Sequence, residues 1–138
     1  MIAYLDSSVL LRVALAQPDA LDRWRDVERG VTSELARLEC LRTIDRLRLR
    51  HRLAAPVVSG YLEELEATLS EIDLADLTRE VLYRAAESLA APLGTLDALH
   101  LATALLWRER NGPLDAFATH DAELARAARA SGFPVIGG

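Results

Sequence analysis

Short apolar runs, each cut off within a few residues by a residue suited to starting a helix, recur along this chain and restrict it more than any other feature. Ile2-Ala3-Tyr4-Leu5 stops at Asp6-Ser7-Ser8, after which Val9, Leu10, Val13 and Ala14 return at helical spacing. Val31-Thr32-Ser33 is followed by Leu35, Leu38, Leu41, Ile44 and Leu47, one apolar stripe carried to about Arg50 with Ser33 placed to cap it. Strands this short, separated by helices, cannot be joined as hairpins. They fit a parallel sheet in which each connection crosses over one face. The expected fold is α/β: a three-layer α/β/α sandwich with a short, mostly parallel five-stranded sheet, in a single domain over residues 1–138.

The other elements follow the same logic. A helix is expected from about Asp19 to Glu28, stopped by Gly30. Pro56 opens one that continues through Ser70, a favourable first-turn use of proline. Glu71 to Leu74 reads as a strand, Leu77 to Leu89 as a helix broken near Pro92 and Gly94. Thr95 is expected to cap a helix ended by Gly112-Pro113, Leu114 to Thr119 to form a strand, and Asp121 to cap a helix through Ala130. Phe133 to Ile136 supplies the last strand.

Composition excludes several chemistries. All 16 basic residues are arginine, which closes lysine-dependent routes such as P-loop phosphate binding and Schiff-base catalysis. The single cysteine, Cys40, rules out an internal disulfide and a cysteine-based zinc site. A formal charge of -5 argues against a generic nucleic-acid coat, though not against an enzyme that meets nucleic acid through metal and local arginines. No window is apolar enough to span a membrane, and the start lacks the basic region of a signal peptide. A cytoplasmic protein is expected.

Of the 21 acidic residues, most fall on solvated helical faces, but four do not. Asp6 and Asp121 follow strands, Glu39 lies in the second turn of the helix after Ser33, and Asp97 in the first turn of the helix opened by Thr95. In a parallel sheet the carboxyl ends of the strands share one edge, where ligands bind. Singly, each aspartate reads as a helix cap worth ~1 kcal/mol. Together they are another matter, since two carboxylates about 4 Å apart repel by ~4 kcal/mol at an effective dielectric near 20. Such a gathering calls for a cation, and hard oxygen donors select Mg²⁺ or Mn²⁺. Asp115, at the start of the same strand, competes with Asp121 for the fourth place.

Four segments in order, Tyr4-Leu5-Asp6-Ser7-Ser8-Val9-Leu10, Ser33 to Glu39, Leu96-Asp97-Ala98-Leu99-His100-Leu101-Ala102-Thr103-Ala104, and Ala118-Thr119-His120-Asp121, resemble the signature segments of PIN-domain ribonucleases. Length and spacing are similar to the toxin branch, the VapC proteins of type II toxin–antitoxin pairs. The resemblance implies that Asp6, Glu39, Asp97 and Asp121 form a catalytic, metal-binding quartet. Ser8 and Thr119 would be hydroxyls that orient those carboxylates or hold substrate phosphate. It also implies an endoribonuclease that uses Mg²⁺ or Mn²⁺ to activate water, leaving 5′-phosphate and 3′-hydroxyl ends.

Phosphate contacts must then come from arginine, whose guanidinium suits bidentate bonding. Arg12, Arg37 and Arg42 are the candidates near the mouth, and Arg46, Arg48, Arg50 and Arg52 could extend an RNA track or meet an acidic partner. Aromatic residues are few, so a structured RNA such as tRNA fits better than stacked single strands. His100, one turn after Asp97, is placed where a metal ligand could stand, but it reads rather as a packed or hydrogen-bonded helix histidine. The partners implied are the RNA substrate, a VapB-type antitoxin covering the acidic site, and a second copy in a homodimer; Leu10, Leu11, Leu62 and Leu65 look like apolar surface in excess of one core. The alternatives are a PIN-like binding module that has lost its metal, a metal-dependent nuclease acting on DNA flaps, and a housekeeping nuclease without an antitoxin.

Overall fold

Alternation along the first strand decides how the layers form. In β1 (Ile2–Leu5), Ala3 and Leu5 face one side of the sheet and Tyr4 the other, all fully buried. A strand buried on both faces belongs at the centre, and β1 is the middle strand. The computed structural model, which describes residues 1–138, continues with α1 (Ser7–Ala14), β2 (Arg29–Ser33), α2 (Glu34–His51) and α3 (Ala55–Ser70). It ends with β3 (Ile72–Ala75), α4 (Arg79–Ala86), α5 (Thr95–Asn111), β4 (Ala116–Ala118), α6 (Ala122–Ala130) and β5 (Val135–Ile136). The five strands form one sheet in the order β3-β2-β1-β4-β5, and every pairing is parallel.

The core divides at the sheet. On one face Ala3, Leu5, Ala116 and Ala118 pack against Val9 and Leu10 of α1, Cys40 and Ile44 of α2, and Leu65 and Leu69 of α3. On the other, Tyr4, Val31 and Phe117 pack against Leu101 and Leu105 of α5 and Leu124 of α6. α5 is buried without interruption from Ala98 to Leu106, because the sheet, α4 and α6 surround it. The layering matches the expected α/β/α sandwich, with the sheet wholly parallel.

Four local expectations change. Residues 19–28 do not form an α-helix; only a 3₁₀ turn, Asp22–Asp26, is present. Leu21, Trp24 and Val27, the residues that pack on the core there, repeat every three residues, the 3₁₀ period rather than the α period. Thr95 is the first helical residue rather than the cap of α5; Gly94 holds the cap position and no side chain bonds there. α4 is shorter than expected at both ends: Thr78, accepting a bond from the Val81 amide, fixes its start after Leu77, and the extended backbone of Glu87 ends it at Ala86 rather than Leu89. Finally, Leu10 and Leu65 are fully buried and Leu11 and Leu62 pack against the same cluster, so these four complete the monomer's own core and are not spare surface. The exposed apolar side chains lie elsewhere, notably Leu82, Tyr83 and Leu96.

Candidate metal centre

The sheet order places the site. From β1 the chain moves to β2 on one side, while β4 occupies the other, so the carboxyl ends of β1 and β4 flank the point where the winding reverses. Such a switch point opens a crevice that side chains from both loops can line. Asp6 leaves β1 there, Thr119 and Asp121 leave β4, Glu39 reaches it from the second turn of α2, and Asp97 from the first turn of α5.

Asp6 is buried and tightly held. One carboxylate oxygen, Oδ1, accepts from the Ser7 amide at 2.7 Å. The other, Oδ2, accepts from Ser8 Oγ and from Thr119 Oγ1, each at 2.8 Å. Both hydroxyls are themselves anchored: Ser8 Oγ accepts from the His120 amide at 3.0 Å and Thr119 Oγ1 from the Asp121 amide at 3.0 Å. The β1 and β4 loops are thereby tied through one carboxylate oxygen. Asp121 caps α6, accepting from the Leu124 amide at 2.8 Å, yet its second oxygen has no protein partner. A capping role and a place at the edge are therefore compatible.

His100 joins the acids, which its sequence context did not reveal. It is fully buried, one turn beyond Asp97, with Nε2 2.5 Å from Glu39 Oε1 and 3.5 Å from Asp6 Oδ1. Its Nδ1 lies 2.7 Å from the Tyr4 hydroxyl. Burial opposes charge on the ring, but the Glu39 hydrogen bond and the charges of Asp6, Glu39 and Asp97 outweigh it and hold its pKa above the ordinary range. The only advance signal was the i, i+3 spacing from Asp97, which puts both on one helical face.

Asp97 records the crowding. Burial first, then the charges of Asp121, Asp6 and Glu39, push its carboxyl up to about 6, with His100 acting in the opposite sense. Its position in the first turn of α5 should favour the anion by ~0.3–1 kcal/mol, which is too little to prevail. Four carboxylates facing one imidazole leave an excess of negative charge with no arginine among them. No three of these side chains stand around one point as a finished cage. Mg²⁺ does not need one: it commonly keeps several waters and takes only one or two carboxylates directly. The all-oxygen donor set and the uncompensated charge fit a hard divalent cation.

The remaining candidates separate. Asp115 lies at the opposite edge of the sheet, where Oδ2 accepts from the Ile2 amide at 2.7 Å, so it is Asp121 and not Asp115 that joins the other acids. Arg37 points away from Glu39 to α3, where it pairs with Glu66 at 2.6 Å, and is not brought to the acids. Arg42, exposed on α2, pairs with Asp45 at 3.1 Å, and Arg12 pairs with Asp19 at 3.1 Å.

Residues 3–130 match the family model described as PIN domain, so the segments that carry Asp6, Glu39, Asp97 and Asp121 all fall inside it. The chain belongs to the PIN-domain family. Among relatives, Ribonuclease VapC46 of Mycobacterium tuberculosis is 35% identical over 137 residues, covering 96% of this chain and 95% of that protein. The fold is similar to that of VapBC2 from Rickettsia felis, solved bound to a DNA fragment from their promoter (TM-score 0.67, 14% identity, 98% of this chain and 97% of that one). It is also similar to a toxin–antitoxin complex from Klebsiella pneumoniae (TM-score 0.65, 16% identity, 97% and 95% coverage).

Proposed function

We propose that this protein is a metal-dependent endoribonuclease, the toxin of a type II toxin–antitoxin pair. The observation that carries the reading is the meeting of Asp6, Glu39, Asp97 and Asp121, from four separate elements, at the switch point of the sheet. Similarity over nearly the whole length of a ribonuclease VapC supports the substrate class.

Those four acids would hold Mg²⁺ or Mn²⁺. When bound, the ion would neutralise charge at the scissile phosphate and make water nucleophilic near neutral pH. The chain's own residues do the positioning. Ser8 and Thr119 fix Asp6 Oδ2, so that carboxylate cannot swing away from the edge. His100, braced by Tyr4, holds Glu39 in the same way from α5. Asp121 keeps one oxygen free of its capping bond.

The partners in this reading are an RNA substrate, of structured type such as tRNA, a VapB-type antitoxin and a second copy of the chain in a homodimer, all in the cytoplasm. Likeness to VapBC2 and to a toxin–antitoxin complex supports the antitoxin. So does an apolar groove of about 440 Å³ between α4 and the start of α5, lined by Leu82, Ala85, Leu89 and Leu99, which runs past Thr95 and Ala98 beside Asp97. No helix is long and apolar enough to cross a membrane.

The direct test is incubation of purified protein with RNA, with and without Mg²⁺ or Mn²⁺, for wild type, Asp6→Ala and Asp97→Ala. Metal-dependent fragments with 5′-phosphate ends from wild type, and none from either variant at retained helical signal, are expected. Cleavage that survives EDTA or either substitution would overturn the reading.

A further inference from the structure

Arg46, Arg48, Arg50 and Arg52 form one run in the sequence, but α2, which ends at His51, divides it. Residues at i, i+3, i+7 and i+11 share one helical face. Counted from Glu39, those positions are Arg42, Arg46 and Arg50. Arg48, nine residues on, falls on the opposite side, roughly 180° around the axis, while Arg52 lies just past the helix, capping it in the left-handed region at φ 48°. Ion pairing cuts across the division at one point, where Asp45 takes Arg42 from one face and Arg48 from the other, each in an i, i+3 pair. Arg46 bonds only to the Thr43 hydroxyl, at 3.1 Å, and Arg50, like Arg52 beyond the helix, has no acidic partner. Both are exposed.

The geometry points to a phosphate track: we propose that Arg42, Arg46 and Arg50 bind the RNA backbone as it leaves the acidic site along α2, a reading that rests on the ribonuclease function above. At 1.5 Å per residue, Arg42 stands about 4.5 Å, Arg46 about 10 Å and Arg50 about 16 Å beyond Glu39 along the axis. The stripe thus spans ~12 Å, long enough to follow several successive backbone phosphates. It is a local cationic lane on a chain of net charge -5, continuous with the face that carries a proposed metal ligand. Favourable interaction with the helix dipole accounts for basic residues in the last turn, on any face. It does not account for Arg42 and Arg46, which precede that turn and line up with Glu39. The acidic site repels the same backbone unless metal is bound, so contacts at a distance from it would hold the RNA in register before the phosphate is engaged.

The test compares two double variants of the full chain, R46Q/R50Q and R48Q/R52Q, which remove equal charge, the first from the Glu39 face of α2 and the second from outside it. Binding of a fluorescein-labelled RNA hairpin is followed by anisotropy in EDTA over a salt series. Each lost phosphate contact should flatten the slope of log K against log salt by ~0.7–0.9. R46Q/R50Q is expected to lose about 1.5 from the slope and about tenfold in affinity at low salt, with R48Q/R52Q close to wild type. With Mg²⁺ present, R46Q/R50Q should cleave the hairpin more slowly than R48Q/R52Q does. Equal slopes for the two variants would overturn the track in favour of a bulk charge effect. So would an R46Q/R50Q variant that binds RNA normally yet no longer co-purifies with antitoxin, since the lane would then be a protein contact. The slope is read without metal, so its loss in R46Q/R50Q supports the track even if cleavage fails and the ribonuclease reading falls.

Discussion

Replacing Asp97 by asparagine should stabilise the metal-free protein, against the ordinary expectation for removing a carboxylate from the first turn of a helix. The Asp97 carboxyl is raised from 3.8 to about 6 by burial and by Asp121, Asp6 and Glu39. A folded-state pKa above the unfolded one means that ionised Asp97 destabilises the fold. The effect is fully developed above about pH 7, fades as pH falls through 6, and is gone below 3.8. At 1.36 kcal/mol per unit the shift corresponds to ~3 kcal/mol, but the side chain is partly exposed and solvent screening reduces this to ~1.5. Asparagine also forfeits ~0.5 kcal/mol of charge–dipole attraction at the start of α5. The net gain is ~1 kcal/mol, or about 3–5 °C in Tm for a domain of this size. Thermal melts in EDTA at pH 8 and pH 4.5 measure it: Asp97→Asn should melt above wild type at pH 8, with the gap closing at pH 4.5. Millimolar Mg²⁺ or Mn²⁺ should reverse the order, because an ion at about 100 times its Kd stabilises wild type by ~2.7 kcal/mol. A variant no more stable than wild type at pH 8, or a difference that ignores pH, would refute the crowded-carboxylate argument.

Asp6→Asn should do the reverse in EDTA, losing ~1–3 kcal/mol in urea denaturation, since an amide nitrogen would face the hydroxyls of Ser8 or Thr119, both of which now donate to Oδ2; unchanged stability would mean that those bonds are dispensable. Cys40 is buried and its thiol is pushed up to about 12, first by burial and then by Glu39 and Asp6, so native protein should resist a disulfide reagent at pH 8 and react at once in urea. Rapid labelling of folded protein would contradict that placement. Gly30 lies in β2 with no room for a methyl group, since a Cβ there would come within 2.8 Å of Leu5 Cδ1 in the core. Gly30→Ala should therefore lower stability by ~1–3 kcal/mol on a chemical melt, and a neutral result would show that Leu5 can move aside.

How much of this was legible in the sequence depends on whether the signal was local. β1 and the cap after it could be read because Ile2 to Leu5 and Asp6 are contiguous, and the chemistry that ends a strand and starts a helix acts over a few residues. The 3₁₀ turn after Leu21 was misread because polar residues at 22–26 suit either helix. What decided the matter was packing of Leu21, Trp24 and Val27 on a distant core, a tertiary effect. Arg37 was misplaced for a related reason. Two residues from Glu39 in sequence, it is on nearly the opposite side of α2, and Glu66, which draws it there, belongs to another helix.

His100 shows where local reading stops. Its neighbours in sequence, Leu99 and Leu101, are apolar and buried, and the local sequence supports a packed or hydrogen-bonded histidine without naming its partners. Burial is correct, but burial alone would have kept the ring neutral and left it a spacer. What changes its meaning are Tyr4, Asp6 and Glu39, distant in sequence and supplied by β1, its loop and α2. The ring touches two of the four acids and follows a third by one turn, so it links the α5 side of the crevice to the α2 side. The same contacts explain why Glu39, a half-exposed helical glutamate by sequence, is fixed in place. The acids could be nominated one at a time from strand ends and helix starts. The network that makes them one site exists only when the sheet brings those ends together.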